Sequence, residues 1–277
     1  MFPYIHIPVY HLGPIDLDPW GLLVISGFVL GLEIARARGL AKGLDVRDIV
    51  DGVTVTVLSG FVFGHLVHVL AYHPEMIDQQ GFAAIYRIWA GFSSFGGFLG
   101  AVIGSVLFYK VIRKRDYWAH ADVVMYAFPF AWIFGRGGCA LVHDHIGRPT
   151  DFFLAVNFDN MMPGMGVRHD LGLYECFYSM FISAVFFALR KKQWPAGAFL
   201  ALWCFLYAPV RFCLDFLRRV DQIPGVPLTP DVRWAGLTPA QWGCLVMFGA
   251  GTAIFLRVRG QMARAAAVGK VEAGGAS

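Results

Sequence analysis

Charge is scarce in this chain. Asp, Glu, Lys and Arg make up 15% of its 277 residues, against roughly a quarter in an average soluble domain, while 57% are hydrophobic. So few charged side chains cannot coat a water-soluble globule of this size, which excludes a soluble enzyme. The same excess of apolar residues excludes disorder, and there is no collagen or coiled-coil repeat. None of the five cysteines pairs as C-x-x-C and most lie inside apolar runs, so neither a disulfide framework nor a zinc site is expected. The first 19 residues hold no Lys or Arg, so no cleavable signal peptide is expected either. The net charge of +4 is spread between apolar segments rather than gathered on one face, and no nucleic-acid partner is expected.

What is present in quantity is long apolar sequence. A membrane-crossing helix needs about 20 such residues, so the chain can supply roughly six to eight. Seven candidates stand out, at about 20–36, 48–71, 95–112, 120–138, 172–189, 196–216 and 238–257. The expected fold is an all-α polytopic membrane protein, one integral membrane domain over 1–277 with a tail at 258–277. Its longest connections, 72–94, 139–171 and 217–237, fall on one side together with the segment 1–19. Basic residues cluster after spans one, three, five and seven, from Arg36 and Arg38 to Arg257, Arg259 and Arg264. Lys and Arg near span ends resist translocation, which places the C-terminus in the cytoplasm and the N-terminus and long loops outside. The eight remaining basic residues, Arg87 to Arg233, are all arginine. A guanidinium fork suits phosphate and carboxylate, a pointer to anionic ligands on the outer side.

Ionisable residues inside apolar segments are costly and therefore informative. Arg211 and Asp215 stand i, i+4, close enough to pair, either as an anion site tuned by an acid or as a structural ion pair. Pro209 should disturb the helix beside them. Arg136 lies among three glycines in GRGGCALVHDHIGRPTD (135–151), where His143, Asp144, His145 and Arg148 follow. Read as helix, neighbours in HDH point in different directions, so no metal is expected there. His65 and His68 share a face at i, i+3, as a proton relay, a head-group contact or packing histidines. Glu175 stands near the start of span five beside Arg168 and His169. Together these describe an outward-opening membrane cavity rich in guanidiniums, for which a phospholipid head group is the natural anion.

The 135–151 segment resembles the GRxGNFxNxExxGRxTD signature of prolipoprotein diacylglyceryl transferases. Five further blocks resemble that family in the same order. GHLVHVLAYHPE (64–75) is similar to GxRLGxVLFYxPE, and AGFSSFGGFLG (90–100) to GGxxFHGGLxG, with Tyr also tolerated for the His. RHDLGLYE (168–175) resembles RHPxQLYE, YAPVRFCLDFLR (207–218) resembles YGxxRFxxEFxR, and LTPAQWG (237–243) resembles the start of LTxxQxxS.

The resemblance implies transfer of the diacylglyceryl group from phosphatidylglycerol to the lipobox cysteine of a prolipoprotein, in the bacterial inner membrane and without a cofactor. By position it implies catalytic roles for Arg136, Asp144, Arg211 and Asp215. It implies head-group binding by Arg136, Arg148, Arg211, Glu175 and His169; if a base is needed, the nearby candidates are His143 and His145, with His169, none of them at the family position. Asp144 and Asp215 replace family glutamates. Cys139 and Val142 stand where the pattern has Asn, Phe95 where it has His or Tyr, and Leu171 and Gly172 replace the polar part of their block. An alternative on the same fold is a phospholipid-binding paralogue that has lost or altered turnover. A small-solute transporter fits the spans, but no inverted repeat is apparent.

Overall fold

The computed structural model describes residues 1–5, 7–13, 15–87, 91–221 and 233–274. The middle of the expected 217–237 loop and the last residues of the expected tail lie outside the described residues. Seven helices among those described are long and apolar enough to cross a membrane: Pro19–Ala41 (α1), Val46–Tyr72 (α2), Ser94–Ile112 (α3), Tyr117–Val142 (α4), Leu171–Ala188 (α5), Ala198–Leu217 (α6) and Pro239–Ala267 (α7). All seven expected spans are present; the first four and the seventh are longer than expected, while the fifth and sixth are shifted by one or two residues.

The largest extension is at α7, which runs to Ala267, into the expected tail, and α4 continues through Arg136 to Val142, so 139–142 is helix rather than loop. Hydropathy truncates this helix at a charge that the fold neutralises internally (below). Pro129 and Pro209 both lie inside helices, α4 and α6, which continue past them. The last turn of α6, Asp215–Leu217, tightens to 3₁₀ geometry.

The chain forms two compact units. One consists of Ala35–Tyr126, Leu189–Ala208 and the chain from Gly243 onward. Its helices α2 and α3 pack through glycine. A Cβ at Gly96 would lie 2.6 Å from the Phe63 carbonyl oxygen, and one at Gly100 would collide with Ser59 and Phe63. Small residues four apart let two membrane helices bring their backbones together where apolar burial alone gives little driving force. Ser93 caps α3, its Oγ accepting from Gly96 N at 3.2 Å. Buried His65 sets Nδ1 3.1 Å from the Gly91 carbonyl and Nε2 3.0 Å from the Ala84 carbonyl. It therefore holds Ala84, in the second of two short helices, Glu75–Gln80 and Ala83–Tyr86, and Gly91 against α2.

Basic residues in this unit meet buried acids: Arg115 Nε lies 2.5 Å from Asp48, and Lys42 Nζ 3.4 Å from Asp122. Arg38 lies over the Tyr126 ring. All the lysines and arginines that follow spans one, three, five and seven belong to this unit.

The other unit consists of Met1–Ile34, Ala127–Ala188 and Pro209–Trp242. It holds the small amount of sheet. Strands Phe2–Pro3 (β1), Ile146–Pro149 (β4), Val156–Asn157 (β5) and Val167–Asp170 (β6) join in the order β1-β5-β6-β4, with β1 and β5 parallel. Tyr10–Leu12 (β2) and Ile15–Leu17 (β3) form a separate hairpin. Ile146, Val156, Phe158 and Met165 form the core beneath the larger sheet, with Tyr4 and Leu173 packed against it.

Gly100→Leu should force α2 and α3 apart and cost about 1–3 kcal/mol through overpacking. Gly249→Leu is the control, because a Cβ there meets nothing within 4 Å. Thermal unfolding in detergent should show a lower midpoint for Gly100→Leu alone; equal midpoints would contradict glycine-mediated packing.

Candidate active site

Five ionised side chains meet inside the unit that carries the sheet. Glu175, in the first turns of α5, lies between two arginines: Arg136 Nε of α4 is 3.0 Å from Oε2, and Arg211 Nε of α6 is 3.3 Å from Oε1. Arg211 reaches on to Asp215, one turn later, at 2.5 Å, and Arg218 Nε meets the same oxygen at 2.7 Å. Arg136, Glu175, Arg211 and Asp215 are each at most 4% exposed. Within this group of five, three guanidiniums face two carboxylates.

The second Asp215 oxygen accepts from Thr238 Oγ1. Thr238 and Gln241 cap α7 reciprocally: Gln241 N donates to Thr238 Oγ1 at 3.2 Å, and Thr238 N donates to Gln241 Oε1 at 3.0 Å. This is the capping-box arrangement of a T-x-x-Q sequence. Gln241 Nε2 also donates to the Phe212 carbonyl at 3.2 Å, fastening the start of α7 to α6. Sequence reading matched this block by resemblance and missed its part in the site; the capping spacing is the signal that would have found it.

At the other end, Arg136 lies over the Trp132 ring and sets Nη1 3.4 Å from His145 Nε2. The His145 ring holds Asp144 through Nδ1. These two residues reach Arg136 because His143 adopts a positive φ of 51°, ending α4 and turning the chain back. The backbone then locks: Leu171 N donates to the His145 carbonyl at 3.0 Å, and β4 pairs with β6. Partial loss of water around Asp144 acts to raise its pKa, but His145 and Arg136 outweigh this and hold it below the usual carboxylate value.

Other predicted site residues sit apart from this chain of contacts. His143 turns into the sheet core, Nδ1 2.5 Å from Asp170, its ring against Tyr4 and Phe158. Asp170 also caps α5, accepting from Leu173 N at 3.0 Å. His169 Nδ1 pairs with the Tyr174 hydroxyl at 2.9 Å, and burial lowers its pKa. Arg148 is exposed and donates to the Arg218 carbonyl at 3.2 Å, touching the edge of the network. Arg168 is a clamp, its Nη2 2.8 Å from Asp221 and its Nε donating to the Met165 carbonyl.

Comparison with known proteins adds a family to this geometry. The profile of the prolipoprotein diacylglyceryl transferase family matches residues 8–257. The chain belongs to this family. Among its curated relatives, the phosphatidylglycerol–prolipoprotein diacylglyceryl transferase of Nitratidesulfovibrio vulgaris is 31% identical over 264 residues, covering 94% of this chain and 96% of the relative. That of Pasteurella multocida is 33% identical over 231 residues, covering 81% and 83%. The Bordetella parapertussis protein of the same name is 28% identical over 259 residues.

Within this diacylglyceryl transferase fold, two departures from the quoted patterns have packing consequences. A Cβ at Gly172 would lie 2.9 Å from Ala140 N and from the Cys139 carbonyl carbon, so glycine lets α5 start directly against the end of α4. Phe95 lies against the α7 backbone, where a Cβ at Gly243 would come within 2.8 Å of its ring Cε2.

Glu175→Gln should destabilise the protein by about 3–5 kcal/mol, because two buried guanidiniums lose the charge between them. Thermal unfolding at neutral pH checks this; a loss below 1 kcal/mol would contradict the bridging role. The Arg168–Asp221 contact gives a pH prediction. Arg168 holds the Asp221 carboxyl below its ordinary value. A depressed carboxylate contributes fully above its unfolded value, about 3.9, and loses its contribution as pH falls through the lower folded value. Hydrogen exchange over 165–170, corrected for intrinsic rates, should be flat from pH 7 to 5 and accelerate only below about pH 4; loss of protection between pH 7 and 5 would contradict it.

Proposed function

We propose that this chain transfers the diacylglyceryl group of phosphatidylglycerol to the thiol of a prolipoprotein lipobox cysteine, the first step of bacterial lipoprotein maturation. Family membership and the relatives' names supply the substrates. The observation that carries the reading is the pair of buried arginines, Arg136 and Arg211, held on either side of Glu175. In the reaction sulfur bonds to the glycerol carbon of the lipid, the carbon–oxygen bond to phosphate breaks, and glycerol phosphate leaves. The phosphodiester starts with one negative charge and the departing phosphate gains another. Two preorganised guanidiniums favour that gain, so they stabilise the transition state more than the ground state.

The remaining residues follow from their contacts. Glu175 spaces the arginines and Asp215 orients Arg211. Arg148, which touches the edge of the network through the Arg218 carbonyl, and His169 contact the glycerol head group. The thiol proton leaves at the Asp144–His145 end of the network, since His145 is the histidine in contact with Arg136, whereas His143 is packed in the sheet core.

The distribution of basic residues supports an inner-membrane protein with the N-terminus and site on the periplasmic side and the C-terminus in the cytoplasm. Phe95 favours a second reading, a phospholipid-binding paralogue without turnover, because its ring occupies the position where the resemblance implies His or Tyr.

In a transfer assay with phosphatidylglycerol and a lipobox peptide, Arg136→Ala and Arg211→Ala should each lower the rate by about 10²–10³, the usual cost of removing one preorganised donor of this kind. Lysine at either position should recover only part, having charge without the fork. Absence of transfer by the well-folded natural protein would support the binding-only reading; unchanged rates in both alanine variants would overturn the phosphate role.

A further inference from the structure

Cys139, Asp144 and His145 converge at the end of α4. One ligand atom from each, the thiol sulfur, a carboxylate oxygen and a ring nitrogen, lies within 4.8 Å of the other two. In a continuous helix Cys139 and the 144–145 pair would not meet in this way. The left-handed turn at His143 folds the two later residues back over the last turn of α4. Around one tetrahedral zinc, ligand atoms lie roughly 3.3–3.8 Å apart given bonds of about 2.0–2.3 Å, so small side-chain rotations close the set. Asp144 is exposed and His145 half-buried, leaving one side of the cluster open.

We propose that Cys139, Asp144 and His145 form a three-ligand site for a zinc-class divalent cation, with its open fourth position taking the incoming substrate thiol. The donor set is the thiolate, imidazole and carboxylate mixture that borderline-soft cations prefer. A thiolate and a carboxylate together neutralise a dication. Arg136 sets Nη1 3.4 Å from His145 Nε2, and Glu175 at 3.0 Å from its Nε offsets part of the repulsion it would exert on a cation. Cys139 and Asp144 are also two of the positions at which this chain departs from the quoted family signature, which has Asn and Glu there.

Three protein ligands plus one open position is the layout of catalytic rather than structural zinc. With His145 coordinated as a ligand it does not also act as the base, so a thiol entering the fourth position releases its proton to solvent at this same end of the network and binds as thiolate. It would then lie beside Arg136, next to the phosphate it must displace. This second step rests on the transferase reading, whereas the metal site does not.

The test uses the full chain in detergent, stripped with chelator and titrated with Co(II). The natural protein should bind one equivalent and develop thiolate-to-cobalt charge-transfer absorption. Cys139→Ser should abolish that band and weaken zinc binding by at least about 100-fold, and Asp144→Asn or His145→Gln should weaken it by 10-fold or more. Cys213→Ser, at an exposed cysteine, should leave the band unchanged. A lipobox peptide should intensify the band through a second thiolate, and its Cys→Ser analogue should not. No band in the natural protein, or a band that survives Cys139→Ser, overturns the site. A band indifferent to the peptide overturns the thiol position. Transfer activity is measured separately: a protein that binds cobalt but transfers nothing counts against the transferase reading alone.

Discussion

The carboxylate of Glu175, lodged between Arg136 and Arg211, is the contact on which the rest of the sheet-bearing unit depends. Two guanidiniums brought this close in a dry environment repel by several kcal/mol even at an effective dielectric of 20. One carboxylate between them turns the repulsion into a bridge that ties α4, α5 and α6 together. The bridge extends through Asp215 to Arg218 and Thr238, and the Thr238–Gln241 capping box carries it to the start of α7. Such a network is expensive to bury and seldom improves stability over an apolar core of the same volume. Its presence in a membrane helix bundle supports the proposed function, in which its guanidiniums meet the phosphate of the lipid.

The seven spans were legible because hydrocarbon demands long apolar helices and little else. Span ends were less so. The expected fourth span ends at 138, just past Arg136, yet Glu175 neutralises that charge across the unit and α4 runs on to Val142. Arg136, Arg211, Glu175 and Asp215 were all recognisable as costly ionisable groups, and Arg211 and Asp215 as partners from their spacing. That Glu175 joins the two arginines was not readable, since it depends on three helices meeting.

The histidines show where reading along the chain runs out. His143, His145 and His169 share one residue type and lie within 27 positions, yet one faces Asp170 in the sheet core, one faces Arg136, and one faces Tyr174. A single non-glycine residue with positive φ separates these fates. The same turn brings Cys139 to Asp144 and His145, a grouping hidden from any reading that takes HDH as helix. Gly172, which in sequence looks only like a lost polar group, lets α5 start against α4, and so helps set where Glu175 lies.

The central claim is that the Arg136–Glu175–Arg211 network recognises the phosphodiester of phosphatidylglycerol. Native mass spectrometry of the purified protein, released from micelles doped with phosphatidylglycerol and with zwitterionic phosphatidylethanolamine, tests this without requiring turnover. The natural protein should retain phosphatidylglycerol preferentially, and Arg136→Gln and Arg211→Gln should each lose at least about tenfold of that preference, the equivalent of 1.4 kcal/mol. Equal retention of phosphatidylglycerol by all three proteins would contradict the account.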